Sequence, residues 1–294
     1  MEVVIVGGGA AGLSAALVLG RARRRVVVVD AGMPRNASSP LAHSCFTRDG
    51  TPPAELLEIA REQLAPYDSV TLRSGSVTAL SAEGSSFVIG MGDGSEIAAR
   101  RVLLAVGVRD ILPEIPGFEE LWGRGALHCP YCHGWEVRDE PLACYATGTE
   151  ALDLVPLLLQ WSRDLILCTG GGDLSSSEEA TIAALGVRIV RTPIERLEGE
   201  RFLERIVFAD GSIETRSAVF LRPGQVVASN LHRAIGCEET PQGLIQVGAD
   251  QQTSVPRIYA AGDATAPAQQ IIIAAASGAL AAMMINRDLI RAAG

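Results

Sequence analysis

The stretch from residue 3 to residue 30, VVIVGGGAAGLSAALVLGRARRRVVVVD, decides the fold. Val3–Val6 is a short β-branched run and predicts a buried parallel strand. Gly7, Gly9 and Gly12 follow at G-x-G-x-x-G spacing, with Ala10 and Ala11 between them. Leu13–Leu19 is rich in Ala and Leu and predicts a helix, and Val26–Val29 predicts a second strand that ends at Asp30. In such a βαβ unit the glycines allow a tight turn, and backbone N–H groups can approach a pyrophosphate at the helix N-terminus. An acid at the end of the second strand can accept hydrogen bonds from ribose hydroxyls. The unit therefore predicts a dinucleotide site, without separating FAD from NAD.

The same layout returns further along. Leu142–Tyr145 predicts a strand, Ala151–Trp161 a helix and Leu165–Cys168 a strand, and Ala146 to Thr169 spans the same interval as Gly7 to Asp30. Each half then carries a hairpin signal: Asp93-Gly94 after Phe87–Ile89, and Asp210-Gly211 after Phe202–Phe208. The expected fold class is α/β, with two related Rossmann-like domains of the three-layer ββα type. Proline and glycine place the boundaries. Leu112–Gly117 reads as one hinge, and the return is expected within Arg222–Gly243. Residues 1–112 and 244–294 would form the first domain, with residues 113–243 inserted into it.

Composition narrows the function classes. The chain has 294 residues, enough for about two domains. A net charge of −9 argues against nucleic acid as a partner, and the basic run Arg21–Arg25 reads as a solvated helix end. The N-terminus lacks the pattern of a signal peptide. The apolar run Ile271–Ile285 is shorter than the roughly 18–20 residues that span a bilayer, so a buried helix is expected and no membrane partner. Six cysteines without an export signal point to a reducing compartment, the cytoplasm.

His128-Cys129-Pro130-Tyr131-Cys132-His133-Gly134-Trp135-Glu136 carries the chemistry. Two cysteines separated by two residues can close a small-ring disulfide, and a helix start would favour a thiolate. The flanking His128 and His133 can move protons to or from a sulfur. Zinc is the competing reading, but a structural site usually needs a second such pair and none exists, so no metal is expected. Cys144 and Cys168 lie in apolar strands and read as core, while Cys45 and Cys237 are isolated. His43 and His232 have no partner visible in the sequence and are expected to be structural, although Pro40–Pro53, which contains His43, is expected near a cofactor or substrate entrance.

Thr253–Ala264, which contains Gly262-Asp263, resembles the Gly-Asp motif of flavoprotein disulfide reductases, and Ala105-Val106-Gly107 is similar to their Ala-Thr-Gly strand end. The resemblance implies FAD, held in part by Asp263, with the following helix, entered at Gln270 and Ile271, pointing at the flavin. The whole chain resembles the low-molecular-weight thioredoxin reductase family. Cys-Pro-Tyr-Cys-His-Gly-Trp-Glu, and Asp30-Ala31-Gly32-Met33-Pro34-Arg35-Asn36, are closer to a subgroup that includes the dithiol oxidases of holomycin and gliotoxin biosynthesis. That likeness implies Cys132 as the sulfur next to the flavin and Cys129 as the one that exchanges with substrate. It places His133 where thioredoxin reductases carry an acidic proton donor, and His128 where the oxidases carry a base. It also implies a homodimer and, as partners, a small-molecule dithiol or disulfide or a thioredoxin-like protein.

The second half departs from the reductases. Its glycine fingerprint reads Ala146-Thr147-Gly148-Thr149-Glu150-Ala151. Ala146 puts a Cβ in the tight turn, Glu150 puts negative charge where a pyrophosphate would sit, and Pro156 is expected to kink the helix. The next strand is followed by Thr169-Gly170-Gly171-Gly172, without the arginines that clamp a 2′-phosphate. Each such charge-assisted hydrogen bond is worth ~1.5–3 kcal/mol. Alternatively, the glycine run rebuilds a phosphate loop of its own. The expected activity is FAD-dependent thiol–disulfide exchange without NADPH, ending on dioxygen or another acceptor. The rival readings are a thioredoxin reductase driven by NADPH or by a ferredoxin-type donor, and a flavin-binding sensor without turnover.

Overall fold

Val3–Val6 forms β1, and its side chains alternate between two packed faces. The computed structural model describes residues 1–292. From β1 the chain builds α1 (Ala10–Arg21), β2 (Val26–Asp30), α2 (Pro53–Glu62) and β3 (Val70–Ser74). An antiparallel meander follows, β4 (Val77–Glu83), β5 (Ser86–Met91) and β6 (Glu96–Ala99), and then β7 (Arg101–Leu104). Val4, Val6, Val27 and Val29 pack toward Phe87, Ile89 and Met91 of the meander. Val3, Ile5, Val26 and Val28 pack on the other face against Leu13, Ala16 and Leu19 of α1. That two-sided burial explains why these strands read as unbroken valine and isoleucine rather than as alternating apolar and polar residues.

β8 (Val108–Ile111) leaves this lobe. The second lobe comprises β9 (Ala126–Leu127), α3 (Pro130–His133), β10 (Leu142–Tyr145), α4 (Gly148–Leu158), β11 (Leu165–Cys168), α5 (Ser176–Ala184) and β12 (Arg188–Val190). It closes with a second meander, β13 (Ile194–Glu198), β14 (Arg205–Phe208) and β15 (Ile213–Thr215), and with β16 (Ala218–Phe220). β17 (Gly224–Val227) returns antiparallel to β8, so two paired strands join the lobes. The last elements are α6 (Leu231–Ala234), β18 (Ile258–Ala260) and α7 (Ile271–Arg291). The sheet orders are β3-β2-β1-β7-β18 and β12-β11-β10-β16-β9, each parallel throughout. The second lobe thus repeats the first, with its fifth strand supplied from the N-terminal rather than the C-terminal side.

Several expectations shift. Val227, Leu231 and Cys237 pack in the core of the first lobe beside Val4 and Val102, so the chain has returned by Val227 rather than at residue 244. β14 starts at Arg205, because the chain turns between Gly199 and Glu204 and leaves Phe202 exposed. α4 begins and ends earlier than Ala151–Trp161 and runs on through Pro156 to Leu158. α7 outruns Ile271–Ile285, and its 21 residues are long and apolar enough to cross a bilayer by length and composition. One face of it, with Ala281, Ala282, Ile285 and Leu289, is buried. Gly278 lies so close to α1 that a Cβ there would collide with the Ala11 carbonyl. Ile272, Ile273, Met283 and Ile290 on the same helix are exposed, so it is half-buried rather than buried.

Candidate active site

The glycines after β1 differ in what they do, and Gly12, expected at the cofactor with Gly7 and Gly9, is a packing residue. Gly7 has φ +111°, and a Cβ there would strike the Ala105 carbonyl at the end of β7. A Cβ on Gly12 would strike the Gly7 carbonyl, so this third glycine seats α1 against β1 and does not face the cavity. A Cβ on Gly9, by contrast, would meet nothing within 4 Å. That open space belongs to a cavity of about 690 Å³, within the range of cofactor pockets of roughly 300–1,000 Å³.

The cavity gathers the remaining cofactor candidates. Gly7, Gly9, Ala10 and Ala11 line it from the glycine turn, and Asp30, Ala31, Arg35 and Asn36 line it from the end of β2 and the turn beyond. Ala105 and Gly107 border it after β7, and Gly262, Asp263, Gln270 and Ile271 border it from the segment between β18 and α7. Leu41, Ala42, His43 and Cys45 also reach it, as expected for Pro40–Pro53.

Charge within the cavity is balanced by partners that the sequence did not reveal. Arg35 Nε and Nη2 donate to the two carboxylate oxygens of Asp110 at 2.8 and 2.6 Å, and Nη1 donates to Gln269 Oε1 at 2.6 Å and to Asp263 Oδ2 at 3.3 Å. Burial raises the Asp263 carboxyl above its usual range, and Arg35 opposes that rise. Gln225 Nε2 donates to Asp110 Oδ1 at 3.0 Å and to Gln269 Oε1 at 2.9 Å, while Gln269 Nε2 donates back to Gln225 Oε1 at 2.8 Å. Asp110 lies on β8 and Gln225 on β17, so both joining strands are tied to the cofactor cavity. At the far end, Arg61 of α2 donates to Asp30 Oδ2 at 2.9 Å and Gly32 N to Asp30 Oδ1 at 3.0 Å.

Cys129 and Cys132 form a disulfide with Cα atoms 5.2 Å apart, within the usual span. Cys132 lines the cavity and Cys129 does not. Cys129 caps α3, and Pro130 fits the first helical position because its missing N–H needs no partner there. α3 is one turn long, so its dipole is far smaller than the helix-start argument assumed. His128 and His133 both reach the cavity. Burial, then the charges of Arg35 and His133, pushes the His128 imidazole down to about 4, with Asp110 pulling the other way. Burial, then the charge of His43, pushes His133 down to about 4. Both rings are therefore neutral at pH 7 and are weak bases. Trp122 lies beside the His128 ring, 5.9 Å between centroids.

The remaining histidines divide. His232 is buried in the first lobe, with Nδ1 2.8 Å from the Ser229 carbonyl and Nε2 2.7 Å from Glu239 Oε1, as expected of a structural histidine. His43, expected to be structural too, instead stands at the redox centre, with Nε2 3.3 Å from Glu136 Oε1. Cys144 and Cys168 are core residues, and burial raises both thiols.

A two-lobed α/β chain with a glycine-turn cofactor cavity that ends on a C-x-x-C disulfide defines a flavoprotein disulfide oxidoreductase. The family model for pyridine nucleotide-disulphide oxidoreductases matches residues 1–279, and the chain belongs to that family, whose thioredoxin reductase-like members bind FAD. A thioredoxin reductase of Claviceps purpurea, tcpT, is 30% identical over 305 residues, covering 99% of this chain and 94% of that protein. The crystal structure of HlmI superposes with a TM-score of 0.94 at 39% identity over 99% of this chain and 93% of that one. The crystal structure of an oxidoreductase from Agrobacterium tumefaciens gives 0.92 at 33% identity, covering 99% of each chain. The open space above Gly9 and the partly buried Asp263–Arg35 pair fit the pyrophosphate and ribityl parts of FAD.

Proposed function

We propose that this chain is an FAD-dependent thiol–disulfide oxidoreductase of the dithiol oxidase type, which takes electrons from a small dithiol and not from NADPH. The observation that carries this reading is the state of the second nucleotide loop. Glu150 stands in the first turn of α4, where a pyrophosphate would need the helix N-terminus, and its buried Oε1 has no hydrogen-bond partner. Burial raises the Glu150 carboxyl. Tyr145 packs on the loop after β11, with its hydroxyl 2.6 Å from where a Cβ of Gly170 would stand, and Thr147 fills the corresponding space at Gly172. Thr169-Gly170-Gly171-Gly172 offers no arginine to a 2′-phosphate.

On this reading a substrate thiolate attacks Cys129 Sγ, the Cys129–Cys132 bond breaks, and Cys132 leaves as the thiolate on the cavity side. The second substrate thiol attacks the substrate sulfur of the mixed disulfide. Substrate leaves as a disulfide and Cys129 as a thiol, so two electrons have passed from substrate to the protein. His128 and His133, both neutral at pH 7, border the cavity where they can relay to solvent the protons released as thiols ionise, without retaining them. The Cys129–Cys132 bond re-forms as the dithiol gives up the two electrons, for which FAD, when bound, would supply the acceptor, with dioxygen or another acceptor taking them last. The proposal includes a homodimer and a reducing compartment, the cytoplasm. The unpaired Cys45, Cys144, Cys168 and Cys237 support that compartment.

Anaerobic titration of the yellow protein tests the reading. Flavin bleaching by dithiothreitol and none by NADPH or NADH is the expected result. Bleaching by NADPH within seconds would establish a pyridine-nucleotide-driven reductase instead. Bleaching by a reduced ferredoxin, with transfer to thioredoxin, would reverse the direction of flow.

A further inference from the structure

One loop of the first lobe reaches across and grips the redox turn of the second. Ala42 and Thr51 pair as an isolated antiparallel bridge, with Ala42 N donating to the Thr51 carbonyl at 2.9 Å and Gly50 N to the Ala42 carbonyl at 3.0 Å. Inside the loop, Ser44 N donates to Asp49 Oδ1 at 2.7 Å and Arg48 N to the Cys45 carbonyl at 2.8 Å. Ser44 and Thr47 hold φ +60° and +70°, left-handed values that non-glycine residues adopt only when their surroundings enforce them. The loop is a self-bonded unit.

It touches the second lobe at two points. Ser44 Oγ donates to the Tyr131 carbonyl, between the two cysteines, at 3.3 Å. The His43 imidazole stands between two carboxylates, with Nδ1 3.5 Å from Asp49 Oδ2 of its own loop and Nε2 3.3 Å from Glu136 Oε1, three residues beyond His133. The His43 side chain is 18% exposed, and its buried Nε2 makes no hydrogen bond, so the contact with Glu136 Oε1 is what it has, an ion pair only when the ring is protonated. His43 also borders the cavity that holds Cys132 and His133.

We propose that His43 is a positioning residue of the thiol–disulfide centre, contributed by the opposite lobe: through Glu136, and with Ser44 on the Tyr131 carbonyl, it clasps the redox turn so that Cys132 and His133 stay at the cofactor cavity. The inference rests on the thiol–disulfide reading. It extends that reading by making the centre a composite of both lobes. Histidine suits the place because one flat ring can face a carboxylate of each lobe at once.

The test follows reduction of the Cys129–Cys132 disulfide by dithiothreitol, trapped by alkylation and read as a mass shift, in wild type, His43→Ala, His43→Gln, Glu136→Ala and the double alanine variant. Flavin bleaching is recorded in parallel. Small misplacements of reacting groups cost up to about a hundredfold, so His43→Ala is expected to slow reduction by about ten- to a hundredfold. Glu136→Ala should slow it equally, and the double variant no further. His43→Gln, whose flexible amide can reach Glu136 as a donor, should recover most of the rate, which a mere loss of packing would not allow. Wild-type rates in His43→Ala, additive losses in the double variant, or no recovery in His43→Gln would overturn the proposal. If wild-type disulfide is reduced but the flavin never bleaches, the proposed function falls, while the trapping rates still decide the role of His43.

Discussion

Acid should weaken this protein through His133, by an amount that can be worked out. The His133 imidazole is pushed down from 6.5 to about 4, mainly by burial. In the unfolded chain it titrates near 6.5, so between pH 6.5 and pH 4 the unfolded state holds the extra proton. Stability is then greatest above pH 6.5, falls as the pH drops, and stops falling from this source below pH 4. The gap corresponds to a loss of about 3 kcal/mol in full and of about 2 kcal/mol at pH 5. That is a sizeable share of a native stability of ~5–15 kcal/mol. Guanidinium unfolding of the holoprotein at pH 8 and pH 5, beside His133→Gln, reads it directly. The wild type should lose about 2 kcal/mol more than the variant, which cannot take up that proton. Equal losses in the two proteins would refute the claim that this ring is held neutral by its surroundings.

Other outcomes follow from the same contacts. Arg35→Ala strands Asp110 and Asp263, and because the pairs are only partly buried the cost should stay below the about 3–5 kcal/mol of a fully buried pair. A lower melting temperature and weaker retention of FAD should both be seen, and Asp110→Asn should be milder. Cys132→Ser should end dithiol-driven bleaching while leaving the yellow colour, checked by anaerobic spectroscopy. Gly278→Val should drive α7 off the Ala11 carbonyl, costing about 1–3 kcal/mol in thermal or chemical denaturation. Glu150→Gly, with Arg introduced at Gly170 and Gly171, should raise NADPH binding above the wild-type level in calorimetry. No gain would mean that Tyr145 closes the loop by itself.

The parts legible in the sequence are those that one stretch of chain builds alone. β1, α1 and β2 stand out because buried strands must be apolar on both faces, and because Gly12 answers to the nearby Gly7 carbonyl, whereas the approach that demands Gly7 comes from the distant Ala105. The repeat could be seen for the same reason. What stayed hidden depends on side chains meeting across the lobes. Nothing in the order of residues brings Asp110 and Gln225 to Arg35, or Glu136 to His43. The early return at Val227 was missed because the prolines near residues 223 and 241 mark turns on either side of a segment already packed in the first core. Phe202 misled because an aromatic residue reads as strand wherever it falls, and here it sits on a turn.

β18 completes the first sheet against β7, although the whole second lobe is synthesised between them. On a ribosome adding about 5–20 residues per second, β7 waits on the order of ten to thirty seconds for that edge partner. Through that interval Val102 and Leu104 present an unpaired apolar strand edge, a template for aggregation. The glycine turn also lacks α7, the helix that backs α1. The second lobe, continuous in the chain, can fold during the delay, so nascent chains should acquire protease-resistant structure there first and capture FAD only once β18 and α7 have emerged.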